Sequence, residues 1–302
     1  MCFRLISHWR RNVSGYVFSF IFIVSCFTNK FVLSVLNFTY PTLFQGWQTL
    51  IGAVLLLTCV KLGWVEMSPI SRSAALSWFP GSLLFVGNIY SGSRALSHMV
   101  IPFFFTLQNS SHVVSYIIST FIHREKTHRI KLASVCIMLL SAINLPLHDP
   151  QFDYSGYLWA LGHLLCLGSY RVFQVHNRSS NLSDLEQQCL NYLFSIVLLG
   201  LAAHPTGDLN GALAFPFLWS YTFYCGCCTS ALLGFLLVLV TVRIKIGMSL
   251  QHLAVWVYTS KIIAMFFSTF IFETSVSSES VACVVFSHLG EALLLYTDRD
   301  SS

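Results

Sequence analysis

The chain has 302 residues, of which 55% are hydrophobic and only 10% charged, and its net charge is +5. Soluble domains carry roughly 25% charged residues, so this sequence lacks the polar surface that a soluble fold of its length needs. The basic residues lie scattered between apolar runs and form no single cluster, which excludes a nucleic-acid binder.

The apolar runs are long enough to cross a hydrocarbon core of about 30 Å. They are continuous rather than alternating, which favours helices over a β-barrel. In chain order the predicted helices span 14–36, 42–62, 77–97, 100–122, 131–147, 154–173, 187–204, 215–241, 249–272 and 279–297. A short basic segment with Arg4, Arg10 and Arg11 precedes the first of them. Asn29-Lys30 and more apolar sequence follow it where a signal peptide would show a small-residue cleavage site, so it reads as a membrane helix. Cys225, Cys227 and Cys228 lie inside an apolar run and read as small packing residues. The expected fold is an all-α integral membrane protein of ten transmembrane helices.

Loop charges set an orientation. With the N-terminus in the cytosol, Lys61, Arg72, Arg124, Lys126, Arg129, Lys131, Arg171, Arg178, Arg243, Lys245 and Arg299 fall on the cytosolic side. The opposite loops hold Asp149, Asp153, Asp208, Glu273 and Glu279, with no Lys or Arg. That asymmetry follows the positive-inside rule and predicts an even number of helices with both termini cytosolic.

A shift of 149 residues overlays the predicted fourth and ninth helices. Ser119-Thr120-Phe121-Ile122 meets Ser268-Thr269-Phe270-Ile271, Arg94 meets Arg243, Met99 meets Met248 and Ser111 meets Ser260. The halves 1–150 and 151–302 then hold five helices each. An odd number per half inverts one copy against the other, a plan that transporters use with the substrate site between repeats.

Three cations fall within predicted helices: Lys30, Arg94 and Lys261. A charge at the bilayer centre costs about 2.5–3.5 kcal/mol on insertion scales, so each needs a partner or a polar cavity. Lys261, near mid-helix, is the leading substrate-binding candidate, with Tyr258 and Ser260 just before it. An ion pair with Glu291 is its alternative role. The repeat sets His112 in the position of Lys261, beside Gln108, Asn109, Ser110 and Ser111. Hydrogen bonding between helices is the alternative for such polar stretches. Asn29, Gln45, Gln48, Asn88, Tyr90, Asn191 and Tyr192 are further polar membrane positions, and Tyr192, Tyr224 and Tyr258 could stack on a flat base. Asn37-Phe38-Thr39 matches a glycosylation sequon close to the membrane. Cations, amides and aromatic rings together suit an anionic ligand that carries a ring, and lysine supplies a compact point charge for phosphate. No cofactor, metal site or catalytic motif is found. Asp184 and Glu186 read as a solvated loop or a helix cap.

Certain segments resemble those of a known family. Thr28-Asn29-Lys30-Phe31-Val32-Leu33, then Phe38-Thr39-Tyr40-Pro41 and Gln45, resembles the first hairpin of nucleotide-sugar transporters of the drug/metabolite transporter superfamily. Gly92-Ser93-Arg94-Ala95-Leu96 with Ile101-Pro102 is similar to their third-to-fourth helix junction, and Lys261 matches a lysine of their ninth helix. The resemblance spans the whole chain. It implies a ten-helix Golgi carrier that exchanges a cytosolic nucleotide sugar for a luminal nucleoside monophosphate. The runs 38–52 and 204–209 are similar to those of a UDP-N-acetylglucosamine carrier. GDP-mannose carriers have Gly-Ala-Leu-Asn-Lys where this chain has Val257-Tyr258-Thr259-Ser260-Lys261, and Phe-Tyr-Asn-Asn near Leu190-Asn191-Tyr192-Leu193, which argues against GDP-mannose. Two other readings stay open: a carrier fold that serves as a non-transporting membrane partner or chaperone, and a membrane transferase, which would need an acidic metal-binding loop. Besides its substrates the expected partner is the lipid bilayer, and both a monomer and a homodimer fit the sequence.

Overall fold

The computed structural model describes residues 2–124, 128–177, 182–272 and 276–300, with side chains described between 12 and 298. Lys126, Arg178 and Glu273 lie outside the described residues, as do the side chains of Arg4, Arg10, Arg11 and Arg299. The described residues form helices and contain no strand. They are α1 (Cys2–Lys30), continued by a π-helical segment (Phe31–Val35), α2 (Pro41–Lys61), α3 (Arg72–His98), α4 (Ile101–Asn109), α5 (Ser111–Phe121), α6 (Arg129–His148), α7 (Tyr154–His176), α8 (Asp184–Ala203), α9 (Asp208–Leu213), α10 (Tyr221–Gly247), α11 (Leu250–Ile271) and α12 (Ser278–Asp300).

Among the described residues, seven helices are long and apolar enough to cross a membrane: α1 with its π-helical extension, α2, α6, α8, α10, α11 and α12. The helices α3 and α7 are long enough but more polar, and α4 and α5 are shorter. These four pack among the seven. α7 lies against α3 and α5, α1 against α10 and α11, α2 against α8 and α10, α3 against α8, and α6 against α12.

Local sequence sets the helix ends. Pro41 and Pro102 sit in the first turns of α2 and α4, where a missing N–H costs nothing. Ser71 caps α3 by accepting from the Ala74 N–H at 3.2 Å, and Asp153 caps α7 at Ser155 N. Ser183 and Glu186 form a reciprocal capping box at the start of α8. Glu186 is therefore a buried cap that also accepts from Ser68 N at 2.8 Å, and Asp184 is ion-paired with Lys245 at 3.2 Å.

Several boundaries differ from the sequence expectation. The segment expected as one helix over 100–122 divides at Ser110, whose N–H turns back to Leu107 O. Its hydroxyl donates to Met138 O on α6. A run of short polar side chains competes for backbone groups and weakens the helix there. The helix expected from 215 starts at Tyr221, and α9 takes up part of the preceding stretch. Arg72, Arg243 and Lys245, expected in loops, lie within α3 and α10.

Long-range bonds sort the chain into two ends. Lys245–Asp184, Lys131–Asp298 and Ser68–Glu186 join one end, called A. Arg94–Asp208, His98–Asp153 and Ser277–His148 join the other, called B.

Candidate functional site

A cavity of about 310 Å³ lies in the middle of the bundle, between α1, α2, α3, α4, α7 and α10. Its polar wall consists of Ser25, Asn29, Gln45, Gln48, Asn88, Ser93, Gln108 and His163. The volume is at the small end of the range for ligand pockets, roughly 300–1,000 Å³. Internal bonds hold these side chains in place. Gln48 donates to Asn29 Oδ1 at 3.1 Å, and Ser230 bonds to both residues. Gln45 donates to Ser93 Oγ at 2.5 Å. His163 Nδ1 lies 3.0 Å from Asn88 O, and its Nε2 lies 3.3 Å from Gln108 Nε2. The His163 ring reaches this position because Gly92 faces it: a Cβ there would lie 2.7 Å from Nδ1.

End B is closed. Arg94 on α3 pairs with Asp208 at 3.2 Å, and Asp208, 2% exposed, also accepts from Thr42 N at 3.1 Å and Thr42 Oγ1 at 2.6 Å. Lys30 donates to Leu96 O at 2.8 Å and Met99 O at 2.7 Å, which places a cation at the negative C-terminal end of α3. Beneath them Phe38 packs its ring against Tyr40, Phe215 and Phe223, with centroids 4.8–5.2 Å apart.

Towards end A lies a tier of charge. Lys261, 4% exposed, donates to Glu291 Oε1 at 2.6 Å and Asn109 Oδ1 at 2.8 Å. Among the described residues nothing donates to Glu291 Oε2. His112 lies among three cations, Arg171, Lys261 and Lys131. Arg171 donates to Ser111 Oγ at 2.9 Å and lies 3.2 Å from His112 Nε2. Gly168 allows this: a Cβ there would be 2.6 Å from both Ser111 O and Val114 Cβ, so α7 and α5 approach closely. Arg171 also faces a second cavity of about 620 Å³, with Gln174, Gln187, Asp184 and Lys245.

The structure therefore brings some of the expected site residues together and disperses others. Asn29 lines the central cavity, and Lys261 meets Asn109. Lys261 takes the alternative considered from sequence, an ion pair with Glu291. Ser260 bonds Ser19 at 2.8 Å and ties α11 to α1, and the Tyr258 ring lies 6.4 Å from that of His288. Lys30 and Arg94 belong to the bridged end B. Asn191 and Tyr192 lie outside the cavity. Tyr192 packs on Gly52, and Asn191 accepts from Trp78 Nε1 and Ser82 Oγ, both at 3.0 Å, while donating to the Tyr170 hydroxyl at 2.7 Å. Interhelical bonds in membranes average about 0.6 kcal/mol, so Asn191→Ala is expected to cost about 2 kcal/mol in a detergent unfolding titration, with nucleotide affinity unchanged. Sequence reasoning missed His163 and counted Arg171 only as a cytosolic-side charge. Gly92 and Gly168 were the signals available, but each needs its facing helix to be known.

No family model matches the sequence. The chain is 51% identical over 292 residues to the UDP-N-acetylglucosamine transporter TMEM241 homolog of Xenopus laevis, covering 97% of this chain and 99% of that protein. It is 47% identical over 293 residues to the UDP-N-acetylglucosamine transporter TMEM241 of Mus musculus, with the same coverage. The GDP-mannose transporter GONST1 of Arabidopsis thaliana is 22% identical over 236 residues, 75% of this chain and 71% of its own length. A crystal structure aligns with a TM-score of 0.59 at 13% identity, covering 96% of this chain and 99% of its own, which shows a shared fold.

Proposed function

The chain belongs to the nucleotide-sugar transporter family, and from that premise we propose that it carries UDP-N-acetylglucosamine across the Golgi membrane in exchange for UMP. The observation that carries this reading is the central cavity, walled by neutral amides, hydroxyls and an imidazole, with the helices bridged at one end by Arg94 and Asp208. Such a wall can hydrogen-bond a uracil and a sugar, and the charged tier beside it can meet phosphate. In this reading Asn29, Gln48, Asn88, Gln108 and His163 hold the neutral part of the ligand. Lys261, with Asn109, meets the diphosphate once the ligand draws it from Glu291.

Alternating access needs two halves that can exchange roles. The packing supports such a pair, counting α3, α7 and the α4–α5 unit with the seven apolar helices as ten spans in two inverted repeats. If α1 corresponds to α7, the contacts of α1 with α10 and α11 become those of α7 with α3 and α5, as found. The contact of α2 with α10 becomes that of α8 with α3, while α2–α8 and α6–α12 map onto themselves. Arg94 at end B and its repeat mate Arg243 near end A fit the same inversion. The cations gathered near end A support a cytosolic assignment for that end and for both termini.

The test is counterflow in proteoliposomes preloaded with UMP. Uptake of UDP-N-acetylglucosamine is expected, with GDP-mannose excluded. Absence of trans-stimulated uptake for every nucleotide sugar would replace this reading with a non-transporting membrane partner.

A further inference from the structure

Each of the buried or half-buried cations Lys30, Arg94 and Lys261 has a carboxylate or a pair of carbonyl dipoles as its partner. Lys261 has Glu291, Arg94 has Asp208, and Lys30 has two carbonyls of α3. At end A Lys131 has Asp298 and Lys245 has Asp184. Arg171 differs. Its bonded partners among the described residues are a hydroxyl and an imidazole, and no carboxylate forms an ion pair with it. Glu291 lies within its electrostatic reach but is bonded to Lys261. A guanidinium inside a membrane helix without a counter-ion is costly unless an anion arrives to complete it.

The surroundings suit such an arrival. Arg171 opens onto the cavity of about 620 Å³, whose other walls carry the amides of Gln174 and Gln187. Lys245 and Asp184 in that wall neutralise each other, so among the described residues the net charge facing the cavity is that of Arg171. Of its donors, Nη1 is the one engaged with Ser111 and His112. The planar fork matches two oxygens of one phosphate, which a lysine cannot do. Arg171 follows His163 by eight residues on α7, a rise of about 12 Å, so one helix presents an imidazole to the central cavity and a cation to the outer one.

We propose that Arg171 is the phosphate-binding residue of the end-A cavity, taking the phosphate group of a nucleotide before Lys261 is released from Glu291. This rests on the transport reading for the identity of the ligand but not for the anion site itself.

The experiment compares binding of uridine, UMP and inorganic pyrophosphate to the purified full-length chain in detergent, using wild type, Arg171→Gln and Arg171→Lys. Wild type is expected to bind UMP more tightly than uridine. Arg171→Gln is expected to weaken UMP and pyrophosphate by about 10- to 100-fold while uridine affinity holds, because charge-assisted bonds to phosphate are lost. Arg171→Lys is expected to recover part of the loss. Labelling of wild-type Arg171 by phenylglyoxal, read by peptide mass spectrometry, is expected to be slowed by pyrophosphate and not by uridine, a readout that needs no variant to fold. An unchanged UMP-to-uridine ratio in Arg171→Gln, or labelling indifferent to pyrophosphate, overturns the assignment while leaving transport intact. Pyrophosphate protection with no nucleotide binding would keep the anion site and overturn the transport reading. Binding of neither overturns both.

Discussion

Lys261→Ala is expected to abolish counterflow and to lower stability by about 3–5 kcal/mol, because it strands Glu291 as an uncompensated buried charge. Glu291 is 5% exposed and already has one oxygen without a donor among the described residues. Loss of uptake in this variant alone would therefore not separate a substrate contact from a damaged bundle. The double variant Lys261→Met with Glu291→Gln separates them. Replacing both members of a buried pair with neutral groups of similar volume is often neutral for stability. Its thermal unfolding is expected to return close to wild type, while counterflow stays absent because the diphosphate has lost its lysine. Robust uptake by the double variant would show that the pair is purely structural.

Asp208→Asn is expected to open end B. Asp208 gathers Arg94 from α3 and both the N–H and hydroxyl of Thr42 from α2, so one carboxylate joins three elements. The amide keeps the shape but removes the charge that holds Arg94. Arg94 is about a quarter exposed, so screening softens the loss, and the stability change is expected to be about 1–3 kcal/mol. The larger effect is on access. Cys26 lines the central cavity and can report it in a variant where it is the sole cysteine. A membrane-impermeant thiol reagent applied from the end-B side is expected to label Cys26 at least about 10-fold faster in Asp208→Asn, the ratio produced by a shift of about 1.4 kcal/mol towards the open state. Equal labelling rates would assign the closure to the aromatic cluster around Phe38 instead.

Much of the helical pattern was legible, because run length and hydropathy are properties of the chain alone. Helix ends were less so. Arg243 and Lys245 read as loop because they are charged, yet a helix that has left the apolar core can continue among them as α10 does. The break at Ser110 was hidden inside an apolar average, although the polar run from Gln108 to His112 that causes it was noticed for a different reason. For the site, the sequence marked Lys261 and named Glu291 as its rival partner, since few carboxylates lie in membrane helices. It could not rank the two roles, because burial of both ends of a pair is a tertiary fact. Asn191 and Tyr192 looked like ligand contacts because polar residues in lipid need partners. The partners turned out to be Trp78, Ser82, Tyr170 and the bare face of Gly52. His163 and Arg171 were passed over for the opposite reason: each owes its position to a glycine, and a missing side chain leaves no mark until the facing helix is known.

The pairing of internal charges also has an electrical consequence. A conformational change that carries Lys261 with Glu291, or Arg94 with Asp208, moves no net charge through the membrane field. Among the described buried cations, Arg171 and Lys30, whose partners are carbonyls, remain with the bound anion to feel a voltage, at about 2.3 kcal/mol per elementary charge for each 100 mV crossed. A cargo phosphate seated on Arg171 cancels part of that as well. The turnover of the loaded carrier should thus be governed by the concentrations of its two nucleotides and respond only weakly to membrane potential.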